Sequence, residues 1–384
     1  MLAPIRGFAA HSGGVTTSTP PGISRATLSN PADLIASLPY LLGFRPDDSL
    51  VLLGHRVPGT TIGLMLRADL PPRELQAQQA DALIPRFADH EHNGVTAVLV
   101  GGSADENGPP HREFAAELER GLARHNLRLF HALWTAEIEP GAPWSCYRDP
   151  DCRGVLPDPQ ETVIAAATTE AGFVVFRSRE ELAAVLEPRS PEAIARRADL
   201  LASCPEPLCS PGMSHSDVLD AAVGELRDAF LRQRRGAGPP DDDQAVRLAH
   251  ALTFNPVRDA CLALAVPPHT SLTREAEEVW LTLVRELPPP HRAEAALHLG
   301  YTALMRGEGA LAGMALANAV EADPAHVVAQ LLQAAWNIGT DPAKLTGLAD
   351  LSTAVDLGLS PPPEPGSGGE AGPGQRSGPP RGMR

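Results

Sequence analysis

Aromatic residues make up only 4% of the chain, and every basic residue except Lys344 is arginine. So few aromatic rings exclude a base-stacking platform of the kind that single-stranded nucleic acids require. They also leave Leu, Val and Ala to fill most of any core. Long apolar runs are missing as well. No stretch approaches the ~18 residues of a membrane span, and the opening MLAPIRGFAAHSGG lacks the apolar run of a secretory leader. Positive charge is outweighed, with 32 Lys+Arg against 47 Asp+Glu and a net charge of −15. Such a balance argues against displacing counterions from phosphates, so neither a nucleic-acid nor a membrane partner is expected. Five cysteines in 384 residues do not make a disulfide scaffold. In a reducing cytosol they are free thiols or metal ligands, and the chain reads as a cytoplasmic protein.

What is present is organisation. The length suggests two domains plus tails, and a hydrophobic content of 43% is enough for a sizeable core. Residues 1–26 are small, polar and Gly/Pro-punctuated and read as a disordered arm. Asn30-Pro31 is a strong helix start, Leu34, Ile35, Leu38, Leu41 and Leu42 follow at helical spacing, and Gly43 supplies the stop. Ser49–Gly54 and Thr61–Leu66 read as two strands able to pair as a hairpin. Pro71–Ala88 reads as a helix, Val95–Val100 as a strand, Arg112–Arg124 as a helix and Leu127–Trp134 as a further strand. Pro140–Pro159 is irregular, followed by a helix at Glu161–Glu170, a strand at Phe173–Phe176 and a capped helix at Ser178–Leu186. This alternation predicts an α/β domain with a mixed sheet over 27–188.

Residues 189–212 read as a linker carrying one helix from Pro191. From Asp217 onward no strand pattern appears. Helices are predicted at 216–234, 242–254, 256–265, 273–287, 291–306, 308–322 and 325–337, with a weaker one at 342–357. They form an all-α helical domain over 213–358. The Pro/Gly-rich stretch 359–384 has too few apolar groups to offset its ordering entropy and reads as a disordered tail.

Four segments carry a resemblance. PADLIASLPYLLGFRPDDSLVLLG (Pro31–Gly54), RADLP (Arg67–Pro71), WSCYRDPDC (Trp144–Cys152) and RGEGALAGMALANAVEADPAHVVAQLL (Arg306–Leu332) together resemble an uncharacterised actinobacterial domain-of-unknown-function family. The resemblance supports the two-part architecture and brings no assigned chemistry. The cysteine pattern after the Trp-Ser pair departs from that family, since Cys146 precedes Tyr147 and Arg148 stands near the expected Cys. Glu308 stands where the family carries Asp, a change that a solvent-facing helix cap tolerates. In addition, Leu299-Gly300, Ala312, Ala319 and Pro324 resemble one tetratricopeptide repeat, which implies a single repeat-like helical hairpin.

Several residue groups are candidate sites. Cys146, Cys152, Cys204 and Cys209, with His215 nearby, form a loose zinc-ligand set. Its C-x5-C and C-x4-C spacings are wider than structural zinc prefers, so unrelated free thiols are the competing account and no cofactor is expected. Cys261 reads as core. VTAVLVGGS ends a strand on Gly101-Gly102-Ser103, where open α/β sheets bind ligands, yet the phosphate-loop fingerprints are missing and a plain loop is the rival account. Asp47, Asp48 and Ser49 open the first strand while Arg67 and Asp69 leave the second. A hairpin brings these groups to one end, as a polar pocket or as turn caps plus an Arg–Asp ion pair. Trp144 and Tyr147 either line that pocket or cover a sheet edge. No HExxH or GxSxG pattern is present. The sequence therefore points first to a non-enzymatic interaction or regulatory protein holding a protein partner through its helical domain. The rival is an enzyme or binder of an anionic or phosphorylated metabolite at the α/β domain.

Overall fold

Asn30 opens the first helix in the expected way, its side chain accepting the Asp33 amide at 2.9 Å. Helix α1 (Pro31–Leu42) ends at Gly43, whose φ of +79° makes the left-handed stop. These elements belong to a computed structural model that describes residues 15–17, 30–56, 61–88, 92–106, 108–203, 213–352 and 355–359. The predicted tail and most of the predicted arm lie outside the described residues. Within the arm, β1 (Val15–Thr17) is a short strand that pairs antiparallel with β3.

Strands β2 (Ser49–Arg56) and β3 (Thr61–Asp69) form the expected hairpin, with Ser49 opposite Asp69. Both are dominated by Leu, Val and Met and are buried on both faces. The segment predicted as one helix over Pro71–Ala88 is broken. A 3-10 turn at Arg73–Leu75 leads into α2 (Gln76–Leu83), and Pro85 ends that helix and begins the short α3 (Pro85–Ala88). Strand β4 (His92–Val100) follows, then α4 (Arg112–Arg124) and β5 (Arg128–Thr135), a β-α-β crossover that leaves β4 and β5 parallel.

The irregular stretch predicted at Pro140–Pro159 holds a hairpin, β6 (Pro143–Cys146) and β7 (Arg153–Val155), which extends the sheet. Its strands are too short to display an alternating pattern. The sheet is mixed and runs β1-β3-β2-β4-β5-β6-β7. Helices α5 (Val163–Glu170) and α6 (Arg179–Ala184) follow. The expected strand at Phe173–Phe176 does not form. Only Phe176 makes a parallel bridge, to Phe44, and the Phe173, Val174 and Phe176 side chains line a cavity instead.

Helix α7 (Pro191–Ser203) leads to the helical part, α8 (His215–Arg234), α9 (Asp242–Thr253), α10 (Asn255–Leu262), α11 (Ser271–Glu286), α12 (Arg292–Arg306), α13 (Gly309–Ala322) and α14 (Val327–Asn337). Pro342–Ser352 is 3-10 rather than α-helical. Capping boxes at Ser214/Asp217 and Asp241/Gln244 fix the starts of α8 and α9. With few aromatics, packing depends on close backbone approach. A Cβ on Gly300 would sit 2.7 Å from Leu316 Cγ, so glycine lets α12 and α13 touch.

Arg197 ties α7 to the helical part. Buried to 5% exposure, it donates to Asp242 Oδ1 (2.8 Å), the Glu286 carbonyl (2.8 Å) and the Pro240 carbonyl (3.0 Å), and it also pairs with the Glu286 carboxylate. Arg197→Met leaves the buried Glu286 with only the half-exposed Arg189 at 3.8 Å. Urea unfolding of this variant is expected to show a loss of about 3 kcal/mol, most of it recovered in Arg197→Met/Glu286→Met.

Candidate functional site

The sheet register draws the sequence-predicted polar groups onto one edge. Asp69 lies opposite Ser49, Ser49 opposite Val100, Val100 opposite Thr135 and Thr135 opposite Trp144. Asp47 and Asp48 precede this row and Gly101–Ser103 follow it, at the carboxyl ends of β4 and β5. Asp48, Gly101, Gly102 and His111 all have positive φ. A Cβ on Gly101 would stand 2.4 Å from Asp48 Oδ1, so the Asp48 carboxylate can lie against the loop only because Gly101 is glycine. His111 belongs to this edge and was not singled out from sequence. Its imidazole is pulled below the usual value by burial, with Asp48 opposing. The delay of the helix by Pro109-Pro110 was the only sequence signal for it.

Most donors of this edge are engaged, although Arg67 Nη1 meets Asp69 only as an ion pair and Trp144 Nε1 has no hydrogen-bond partner among the described residues. Arg67 Nε donates to Ser49 Oγ at 2.9 Å, Nη2 to the Asp47 carbonyl at 3.4 Å, and Nη1 pairs with Asp69. The Gly101 amide donates to the Thr135 carbonyl at 3.0 Å and Trp134 Nε1 to the Gly101 carbonyl at 2.9 Å. Tyr147 Oη donates to the Pro110 carbonyl at 2.7 Å. Trp144 is buried beside Gly154 of β7. The cluster therefore fastens hairpin and crossover together, with Asp69 as the counter-ion of the arginine.

Among the loose zinc candidates, Cys146 and Cys152 come together at the loop end of the β6–β7 hairpin, where the Cys146 amide donates to the Cys152 carbonyl at 2.8 Å. No third His, Cys, Asp or Glu among the described residues joins them in a metal-binding group. Cys204 and Cys209 lie outside the described residues. His215 instead packs on the Phe254 ring, 5.1 Å between centroids. Cys261 is buried in the core, as expected.

A different site lies where the two halves meet. A cavity of about 220 Å³ is walled by Tyr40 and Leu41 of α1, Phe173, Val174 and Phe176, Leu182 of α6 and Leu311 of α13. Its charged lining is Glu277 of α11, Arg306 at the end of α12 and Glu308. Arg306 pairs with Glu277 and, at 3.0 Å, with Glu308 Oε1, while its guanidinium lies 5.1 Å from the Phe173 ring centre. Its side chain is 5% exposed, yet Nε has no hydrogen-bond partner among the described residues. Glu308 thus departs from the solvent-facing cap expected of it. It makes no side-chain cap bond and turns into the charged trio. Nothing in the sequence signalled this, because the walls come from segments far apart along the chain, near residues 40, 175, 280 and 308.

The electrostatics follow from one cation among two carboxylates in an apolar setting. Burial and the facing Glu277 push the Glu308 carboxyl up to about 8, against the pull of Arg306. Burial raises Glu277 as well, with Arg306 opposing, while its two carboxylate partners help hold Arg306 charged. A carboxyl raised in the folded state favours the folded state while protonated. Its contribution is complete below the ordinary carboxylate range and is lost as pH climbs towards 8. Urea midpoints measured between pH 5 and 8.5 are expected to fall with rising pH, and Glu308→Gln is expected to flatten that slope and to exceed the parent at pH 8.5.

No curated protein and no solved structure matches the chain. A family model described as Domain of unknown function (DUF4192) matches residues 31–343, running through the sheet, the cavity and the helical array. The chain therefore belongs to the DUF4192 family of domains of unknown function.

Proposed function

We propose that the protein is a non-enzymatic regulatory protein that binds a small organic ligand in the cavity between its α/β and helical parts. The observation that carries this reading is the cavity itself. An apolar space of about 220 Å³ ends on a buried guanidinium with one N–H left unpaired. Such a combination of apolar walls with a few placed polar groups is the usual make-up of a ligand site. An engineered apolar cavity of about 150 Å³ accepts benzene, so this one has room for a single ring with a short polar arm. The Asp69 carboxylate already serves Arg67 as counter-ion, which places an anionic metabolite at the sheet edge second.

A protein partner on the helical part completes the reading. Val327, Leu331 and Ile338 lie on one side of α14 and its C-cap, at 64%, 65% and 62% exposure, and supply an apolar stripe for such a contact. A cytoplasmic location belongs to the same proposal, supported by the free thiols of Cys146, Cys152 and Cys261. Among the described residues, no helix is long and apolar enough to cross a membrane.

The test is a thermal-shift screen of single-ring amphipathic molecules. Val174 lines the cavity and is 66% exposed, so Val174→Trp plugs its mouth without disturbing the core. Hits are expected to raise the parent's melting temperature and to leave Val174→Trp unmoved, while unliganded stability stays within about 0.5 kcal/mol of the parent. A screen without a single shift, or shifts that survive the plug, overturns the reading.

A further inference from the structure

Every charged group lining the cavity belongs to the Arg306–Glu277–Glu308 trio, one cation to two carboxylates. Tyr40, Phe173 and Phe176 present aromatic rings to the same space. We infer that the ligand is a small organic cation, an ammonium or amidinium group on an apolar body of about one ring, whose charge neutralises the second carboxylate. The inference rests on the cavity being a ligand site, as proposed above, and goes on to name the ligand's chemistry.

Three observations argue for a cation over an anion. Arg306 already has both terminal nitrogens engaged, Nη1 by Glu277 and Nη2 by Glu308, so an incoming carboxylate or phosphate finds only Nε free and meets the negative charge of the resident carboxylates. Removing a carboxylate from water without a full counter-charge is costly, and here two share one guanidinium. Aromatic faces also attract cations, by about 0.5–2 kcal/mol when water is excluded, and only Phe173 already serves Arg306.

In the unliganded protein a proton stands in for the missing positive charge. Glu308, pushed up to about 8, keeps most of its proton at neutral pH. A bound ammonium lowers that value and expels the proton, so binding releases close to one proton per site. The other groups near the trio do not supply it. His269 is held below its ordinary value by burial and by Arg306, Tyr40 is raised above its own, and Glu278 adds negative charge beside Glu277.

Titration calorimetry of the full chain at pH 7 tests this with three probes of one skeleton: 2-phenylethylammonium, 2-phenylethanol and phenylacetate. Each is run in two buffers of different ionisation enthalpy. The ammonium is expected to bind at least about tenfold tighter than the alcohol, the equivalent of about 1.4 kcal/mol. It is also expected to release most of a proton, with phenylacetate weakest. Glu308→Gln is expected to abolish both the preference and the proton release while leaving alcohol binding intact, and Val174→Trp to abolish binding of all three. Equal binding of ammonium and alcohol without buffer dependence overturns the inference but leaves the ligand site standing, as does a preference for phenylacetate. Silence of all three probes together with an empty screen removes both.

Discussion

The helical half depends on one constraint: α12 is enclosed on every side. Residues 293–306 of this helix are all buried, and it touches α9, α10, α11, α13 and α14. A helix so placed cannot follow the usual division into an apolar and a wet face. Its polar residues fall instead on one ridge, Glu294, His298, Thr302 and Arg306, four residues apart and therefore stacked along a single side. Cut off from water, each is either matched inside the protein or held neutral. His326 Nε2 lies 3.2 Å from Glu294 Oε1. His298 is pushed down to about 3 by burial, with Arg258 and His326 adding to it, and so stays neutral, its ring 5.0 Å from that of Trp280. Arg306, at the far end, finds Glu277 and Glu308 and opens onto the cavity. The ridge explains why so much charge lies at the bottom of an otherwise apolar space.

The two halves are joined by polar contacts as much as by apolar ones. Arg197 reaches acceptors on α11 and before α9, Arg56 of β2 donates to Asp341 at 2.8 Å, and the Arg189 amide meets the Arg285 carbonyl at 3.3 Å. Geometry at such a seam is directional, since a hydrogen bond tolerates little misalignment. The stacking of Arg306 on the Phe173 ring, 5.1 Å from its centre, is held in register by these ties.

Much of this architecture was legible beforehand, for identifiable reasons. Long helices announce themselves: Asn30-Pro31 marks the start of α1, and the helices expected from 216 and 242 begin at His215 and Asp242. The hairpin of β2 and β3 was readable because two apolar runs flank a Pro-Gly turn, and its pairing brought Asp47, Asp48, Ser49, Arg67 and Asp69 together as expected. The hairpin of β6 and β7 escaped notice because four and three residues are too few for a period of two to show. Phe173–Phe176 misled in the other direction, since an apolar run of four says that the segment is covered but not by what. The cavity was hidden for a deeper reason. Its walls are drawn from α1, the segment before α6, α11 and α13, and only tertiary packing brings them together.

The cavity belongs to neither half, so neither half is complete alone. Separated, the α/β part would turn Tyr40, Phe173 and Phe176 outward and the helical part Leu281 and Leu311, apolar surface of the kind that draws unfolded chains into aggregates. Selection on the cavity and selection on solubility therefore act on the same residues, and the chain can be divided only by giving up both.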